Sequence, residues 1–314
     1  MKAVVLSGYG GPEKLDVVDL PMPAIKPEEV LVAVRSISIN PADALVRENE
    51  ALDWIFDGDS IKILGWDLSG VAVNVGSAVS AFKIGDEVFG CVHHPGHGRA
   101  YAEYVAAPAA HLALKPANVT HDEAAAATLA ALTALQPLQK AGIKAGDRVF
   151  ISAAGGGVGH FAVQLAKHFG AYVIALASKS KKELLASLNV DLFIDYQSQN
   201  FLDLVKDVDI VLEAVRGDNY ILRTLEIIRP GGTLISLWSQ ITDREEAKAR
   251  QHGIRAFYNA IQSNGADMMF IARLLASGAL RPHISSVFSL NEVRNAHLAI
   301  QSNHTQGKII IRVN

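Results

Sequence analysis

The residues best placed to do chemistry form a glycine cluster, Val149-Phe150-Ile151-Ser152-Ala153-Ala154-Gly155-Gly156-Gly157-Val158-Gly159, followed at once by a helix-forming stretch to residue 169. An apolar strand that passes through glycines into a helix is suited to hold phosphate. Glycine lets the backbone turn tightly and approach a ligand, and the free N–H groups of the helix start stabilise its negative charge. The fingerprint is Ala154-x-Gly156-x-x-Gly159, with alanine at its first glycine and Gly157 and Val158 inside it. A glycine pattern alone is weak, but strand, loop, helix and further βαβ units in succession point to a dinucleotide site.

The choice of dinucleotide is made about 20 residues beyond the glycines, where an NAD site places Asp or Glu against the adenine ribose. Here the chain reads Ala175-Leu176-Ala177-Ser178-Lys179-Ser180-Lys181-Lys182. The acid is missing and lysines stand in its place. An acid repels a 2′-phosphate and a lysine attracts it, so NADPH is the expected cofactor; the competing reading is a solvated, lysine-rich helix start. That plainer reading weighs more on Lys179 and Lys181 than on Ser178 and Lys182, the residues expected to meet the phosphate.

A second cluster, His93-His94-Pro95-Gly96-His97, crowds imidazoles into a short loop. It lacks carboxylate or cysteine company, and Pro95-Gly96 denies it helical spacing, so a polar loop able to touch substrate or phosphate is expected rather than a metal site. Cys91, the only cysteine, can form neither an internal disulfide nor a four-cysteine zinc lobe, and reads as a packed small side chain.

These residues need elements to position them. Residues 4–6, 15–19, 30–36, 70–75 and 86–90 are short β-rich runs between glycines and prolines, which suggests a β-barrel-like unit. Near Thr120 the rhythm changes. Thr120-His121-Asp122-Glu123 is a capping-box pattern ahead of an alanine-rich stretch, 124–138, expected to be helical. Strands then alternate with helices: strands at 148–152, 172–177, 192–196, 208–215 and 233–237, helices at 157–169, 179–188 and 220–228, and a further strand at 254–258. That alternation predicts a doubly wound parallel sheet. A helix at 266–276 and β-rich runs at 283–289 and 308–313 close the chain and resemble its first third. The expected organisation is a catalytic unit at 1–122, a nucleotide unit at 123–262, and a return to the first unit at 263–314.

Composition bounds the partners. In 314 residues, half are hydrophobic and 19% charged, so a large core is expected and disorder is excluded. Lys plus Arg number 29 against 32 Asp plus Glu, a formal charge of −3, which calls for neither nucleic acid nor an anionic membrane. A signal-peptide pattern and an apolar run of about 20 residues are both missing, so a soluble cytoplasmic enzyme is expected.

The chain resembles the medium-chain dehydrogenase/reductase superfamily, and within it the zinc-independent quinone oxidoreductase (zeta-crystallin-like) branch. The resemblance rests on Ser38-Ile39-Asn40-Pro41-Ala42-Asp43, Gly65-Trp66-Asp67-Leu68-Ser69-Gly70-Val71, Tyr101-Ala102-Glu103-Tyr104-Val105, Leu132-Thr133-Ala134, the glycine loop, Arg229-Pro230-Gly231-Gly232 and Gly307-Lys308-Ile309. It implies a GroES-like β-barrel catalytic domain plus a Rossmann domain, with a nicotinamide between them. Zinc relatives use cysteine and histidine where Asn40 and Trp66 stand, so no catalytic zinc is expected. A metal-free site suits quinones and α,β-unsaturated carbonyls, because conjugation carries charge to an oxygen distant from the attacked carbon.

By the resemblance, Asn40 donates to substrate oxygen or holds the ribose, against a turn-capping role; Trp66 walls the nicotinamide, against core packing; Thr133 bonds on the nicotinamide side, against bonding back to its own turn. Asp43 and Arg47 are expected to pair on a helix, and Asp67 to orient the unit. Ser178, Lys182 and Tyr196 fall at the 2′-phosphate and adenine, and Val215, Leu237 and Lys308 complete the cofactor set. Arg216 departs from the small residue expected beside Val215. A homodimer through an edge strand, 233–237 or 254–258, follows by analogy. The competing functions are a zinc-type alcohol dehydrogenase and a non-catalytic NADPH-binding protein of the same fold.

Overall fold

The structure is a computed structural model and describes residues 1–314 except Arg216, Asp218, Asn303 and Asn314. The chain divides into two compact units, Met1–Leu132 with Ile261–Asn314, and Thr133–Ala260.

The first unit opens with β1 (Lys2–Leu6) and β2 (Leu15–Asp19), an antiparallel pair. Then come β3 (Glu29–Ile39), α1 (Pro41–Glu48), β4 (Asp67–Val75), β5 (Glu87–Cys91), β6 (Tyr104–Pro108), β7 (Leu112–Leu114) and α2 (His121–Ala126). β3 is the spine: it pairs antiparallel with β4 and with β6, and its residues are buried along nearly its whole length. β4 passes to β5 and β5 to β7, both antiparallel.

The alanine-rich stretch makes two helices rather than the expected one. α2 starts on the capping box of Thr120 and Glu123 and stops at Ala126; α3 begins afresh at Leu129 and runs to Ala141. The break has a tertiary cause. The Leu129 N–H donates to the buried Asp67 carboxylate at 2.9 Å, and the Thr128 hydroxyl donates to the Ala125 carbonyl at 2.8 Å. A carboxylate at a helix start satisfies amides that have no partner within the helix.

The second unit holds β8 (Arg148–Ile151), α4 (Gly159–His168), β9 (Tyr172–Ala177), α5 (Lys182–Ser187), β10 (Leu192–Asp195), α6 (Phe201–Leu204), β11 (Val208–Glu213), α7 (Tyr220–Thr224), β12 (Ile228–Ser236), α8 (Asp243–Gln251) and β13 (Arg255–Tyr258). Its strands lie parallel in the order β10-β9-β8-β11-β12-β13. Phe150, Ile174, Leu176, Ile194, Val211 and Leu234 are buried in one cluster, and Val149, Ile151, Val173, Ala175 and Leu212, which alternate with them, are buried too, as expected of strands covered on both faces. Strand order reverses between β8 and β11, which makes a crevice at their carboxyl ends. β12 is internal, so of the two segments expected at an edge only β13 lies at one.

The tail returns to the first unit through α9 (Gly265–Ser277), β14 (Ile284–Ser289), α10 (Val293–Gln301) and β15 (Lys308–Arg312). β15 pairs antiparallel with β3 and parallel with β14. Among the described residues, no helix is long and apolar enough to cross a membrane.

Candidate active site

In the first unit Asn40 stands where β3 gives way to α1. Its backbone N–H donates to Asp43 Oδ2 at 2.7 Å, and its Nδ2 donates to Asp67 Oδ2 at 2.8 Å. Lys308, from β15, donates to Asn40 Oδ1 at 2.5 Å and to the Ile39 carbonyl at 3.1 Å, with its ammonium 3.9 Å from Asp67 Oδ2. Lysine only donates and carboxylate only accepts, so the two fix which way the Asn40 amide points. All four side chains are buried.

Burial sets their titration. It pushes Asp43 up to about 7, against the bond from Asn40, and raises Asp67 against the pull of Lys308. It also draws Lys308 down and lifts the Cys91 thiol well above its usual range. Lys308, expected at the cofactor, donates within the first unit to Asn40 and Ile39. Arg47 is expected to pair with Asp43; fully buried, its Nε instead donates to the Gly10 carbonyl at 2.9 Å, its Nη2 to Glu48 at 2.5 Å, and its Nη1 meets His297 Nδ1 at 2.8 Å. Helical spacing puts acid and guanidinium on one face, but the adjacent Glu48 and, from other elements, Gly10 and His297 claim the guanidinium.

Trp66, immediately before β4, is buried and donates its indole N–H to the Gly96 carbonyl at 2.7 Å, with its ring edge-on to His94. A zinc ion does not fit beside it. Asn40 and Trp66 supply neither thiolate nor imidazole, and the Lys308 ammonium beside Asp67 repels a dication. The histidine loop is no closer to a metal centre, because its imidazoles diverge. His93 packs edge-on to His111, the His94 ring meets the Ile261 carbonyl at 3.1 Å, and His97 is held between Asp59 at 2.7 Å and the Ile63 carbonyl at 2.9 Å.

In the second unit the expected cofactor residues gather along one edge of the parallel sheet. Ala154, Gly156, Gly157, Val158 and Gly159 follow β8; Ser178 follows β9; Tyr196, exposed, follows β10; Val215 follows β11; and Leu237, half-buried, follows β12. This is the carboxyl edge, where open α/β sheets bind ligands. Thr133 lies on α3, half-buried. Arg216 is outside the described residues.

The loop geometry fits a pyrophosphate. A Cβ on Gly159 would stand 2.3 Å from the Ala153 carbonyl oxygen and 2.6 Å from Ala154 Cα, so only glycine lets α4 start this close under the loop. At Gly156 a Cβ would meet a single neighbour, the Ala153 carbonyl oxygen, at 3.2 Å, a milder crowding than at Gly159. The helix starts at Gly159 rather than at 157, so Gly157 and Val158 belong to the loop.

Two features of the site escape a reading of the sequence. Lys181, which there has the look of a plain surface lysine, lays its stem over Gly155: a Cβ on that glycine would be 2.6 Å from Lys181 Cδ. Burial draws its ammonium below the ordinary lysine range. Lys182 is exposed, and the Ser178 and Ser180 hydroxyls bond each other at 3.0 Å. The second is Glu213, the last residue of β11, whose carboxyl accepts from the Ser152 hydroxyl at 2.5 Å and from the Val215 N–H at 2.9 Å. An acid ending an apolar strand is a signal the sequence does carry; its partner on the β8 side is not.

A GroES-like unit joined to a doubly wound nucleotide unit defines the class of alcohol-dehydrogenase-like oxidoreductases. Residues 26–117 match the alcohol dehydrogenase GroES-like domain, and residues 188–311 match the family described as zinc-binding dehydrogenase. The chain is 34% identical over 322 residues to the 2-methylene-furan-3-one reductase of Solanum lycopersicum, covering 99% of this chain and 79% of that one. It is 33% identical over 321 residues, with the same coverage, to the chloroplastic NADPH-dependent alkenal/one oxidoreductase of Arabidopsis thaliana. The solved quinone oxidoreductase from Coxiella burnetii superposes with a TM-score of 0.93 at 34% identity, over 100% of this chain and 99% of that one. The chain belongs to the medium-chain dehydrogenase/reductase superfamily, in its zinc-independent quinone oxidoreductase branch.

Proposed function

We propose that the protein is an NADPH-dependent oxidoreductase that delivers hydride, without zinc, to a quinone or to an α,β-unsaturated ketone or aldehyde. The observation that carries this is the carboxyl edge of the second unit: a phosphate-ready glycine loop, no acid after β9, and lysines there instead, one lying over Gly155. Two relatives named for a furanone and for alkenals and alkenones support the substrate class.

NADPH, when bound, supplies the hydride. The chain's own part is binding, orientation and charge. The amides at the start of α4 and the Lys181, Lys182 and Ser178 side chains hold phosphate. Tyr196, Val215 and Leu237 line the adenine and ribose. In the first unit Asn40, locked by Asp67 and Lys308, presents its remaining Nδ2 hydrogen to the developing oxyanion, with the nicotinamide ribose hydroxyl as second donor. Trp66 gives an apolar wall, and Thr133 bonds on the nicotinamide side. Asn40 would hold the oxygen on which negative charge develops, and solvent would supply the proton to the α-carbon.

The edge position of β13 supports a homodimer built by strand addition. A single buried cysteine fits a cytoplasmic location. The test is NADPH consumption by EDTA-treated protein with a simple α,β-unsaturated ketone and with a benzoquinone, NADH alongside. Turnover with NADPH and little with NADH is expected. Turnover that requires added zinc would restore the alcohol dehydrogenase reading, and cofactor binding without turnover on either acceptor the non-catalytic one.

A further inference from the structure

The crevice of the parallel sheet opens between β8 and β11, and the carboxyl ends of those two strands are tied together there by side chains. Ser152, first residue beyond β8, donates its hydroxyl to Glu213 Oε1 at 2.5 Å. The same hydroxyl oxygen accepts from the Ala214 N–H at 2.7 Å, and Oε1 also accepts from the Val215 N–H at 2.9 Å. Serine and glutamate therefore close a ring across the switch point, at the residue from which the glycine loop departs. Every bond that Glu213 makes in that ring uses Oε1. Oε2 is buried and makes no hydrogen bond.

We infer that Glu213 is a positioning residue for cofactor binding: it clamps the glycine loop across the β8–β11 crevice, and it takes up a proton when the dinucleotide's pyrophosphate docks. This rests on the cofactor site proposed above. Electrostatics supply the reason. A buried carboxylate under a loop that receives a pyrophosphate is a negative charge near negative charge, and the cheapest relief is a proton from solvent on Oε2. Because the ring runs through Oε1 alone, the proton settles without breaking the clamp. Burial already holds Glu213 at about 7 in the free protein, so the proton is within reach at neutral pH.

The groups that face Glu213 leave it as the one that titrates there. Ser152 comes from the β8 side, Thr224 and Tyr220 from α7, and Ser236 stands opposite it on β12. Tyr220 is pushed up to about 12 by its burial and by Glu213, and so stays neutral; Arg223 and Tyr196 in turn face Tyr220. Linkage sets the sign: a proton taken up on binding makes cofactor affinity fall as pH rises through the free-state value.

The experiment is NADPH titration of the intact protein from pH 6 to 9, with calorimetry at pH 7.5 in two buffers of different ionisation heat. For wild type, affinity is expected to weaken by up to about tenfold across that range, with uptake of about half a proton per cofactor at pH 7.5. Glu213→Gln keeps the Oε1 bonds and removes the charge; it should bind more tightly than wild type at pH 9 and take up less proton. The comparison removes the cofactor's own 2′-phosphate ionisation, common to both proteins. Ser152→Ala opens the clamp but keeps the carboxyl, and should weaken binding at every pH while the pH dependence persists. Equal proton uptake in wild type and Glu213→Gln would overturn the coupling, and unchanged affinity in Ser152→Ala would overturn the clamp. If Glu213→Gln does not fold, wild-type affinity that stays flat or rises from pH 7.5 to 9, above the range in which the cofactor's 2′-phosphate ionises, overturns the coupling by itself. Wild type that binds no NADPH at all would instead defeat the cofactor site.

Discussion

Replacing Gly159 by alanine tests the cofactor loop most directly, because the atoms that the new methyl would meet are fixed by the fold. Its Cβ would lie 2.3 Å from the Ala153 carbonyl oxygen and 2.6 and 2.7 Å from Ala154 Cα and C, all backbone atoms. No rotamer relieves that contact; loop and helix must part by about 1 Å, an overpacking cost of about 1–3 kcal/mol. The gain of alanine over glycine in a helix, up to about 1 kcal/mol, offsets only part of it. The expected result is a protein destabilised by about 1–2 kcal/mol, seen as an earlier urea midpoint at unchanged slope. The same displacement moves the loop amides off the pyrophosphate, and misplacement of about 1 Å at a binding constellation costs on the order of a hundredfold. Gly156→Ala is the contrasting variant. Its methyl would meet the Ala153 oxygen at 3.2 Å, so the free protein should unfold near the wild-type midpoint while NADPH binding still weakens. Fluorescence titration of NADPH and urea unfolding read both quantities. Gly159→Ala binding NADPH within about threefold of wild type would refute the reasoning, since the geometry allows no accommodation without moving the loop.

Three further outcomes are expected. Lys308→Met removes the ammonium from Asn40 and Asp67 and leaves a buried carboxylate uncompensated, which should cost about 3–5 kcal/mol in urea unfolding and lower turnover through Asn40; a change under about 1 kcal/mol would show that the lysine is not the partner of Asp67. Lys181→Ala should reduce the preference for NADPH over NADH about tenfold in kcat/KM, and more than Lys182→Ala does; the reverse order would return the phosphate to the exposed lysine. His297 is held neutral, burial and then Arg47 lowering it to about 3. Its folded value lies below the unfolded one near about 6.5, so its contribution to stability is present above that pH and is lost as pH falls from there toward 3. Wild type should therefore lose roughly 2 kcal/mol more than His297→Gln between about pH 6.5 and 4.5, and parallel losses would exclude that assignment.

The second unit is largely legible from the order of its residues. Its strands are short apolar runs and its helices follow glycine, lysine or capping signals, so each announces itself within about ten residues. The fingerprint through Gly159 is readable for the same reason, since strand, turn and helix start are contiguous. Elements whose limits depend on distant partners are not. The stretch 124–138 looks like one helix because alanine favours helix throughout, and it breaks because Asp67, far away in sequence, takes the Leu129 amide. Lys181 and Lys182 are neighbours of equal chemistry, and only the fold lays the first over Gly155 and leaves the second in solvent.

What the sequence determined by itself is whatever local periodicity and residue chemistry decide: a doubly wound unit and a glycine loop without the acid of an NAD site; its resemblance to a family added that Asn40 and Trp66 stand where zinc relatives carry their ligands. What only the tertiary structure decided is pairing. Asn40 with Asp67 and Lys308, Arg47 with His297, and Ser152 with Glu213 join residues 27, 268, 250 and 61 positions apart. The physical reason is that a buried polar group must find a partner wherever the folded chain supplies one, and sequence distance does not enter that requirement.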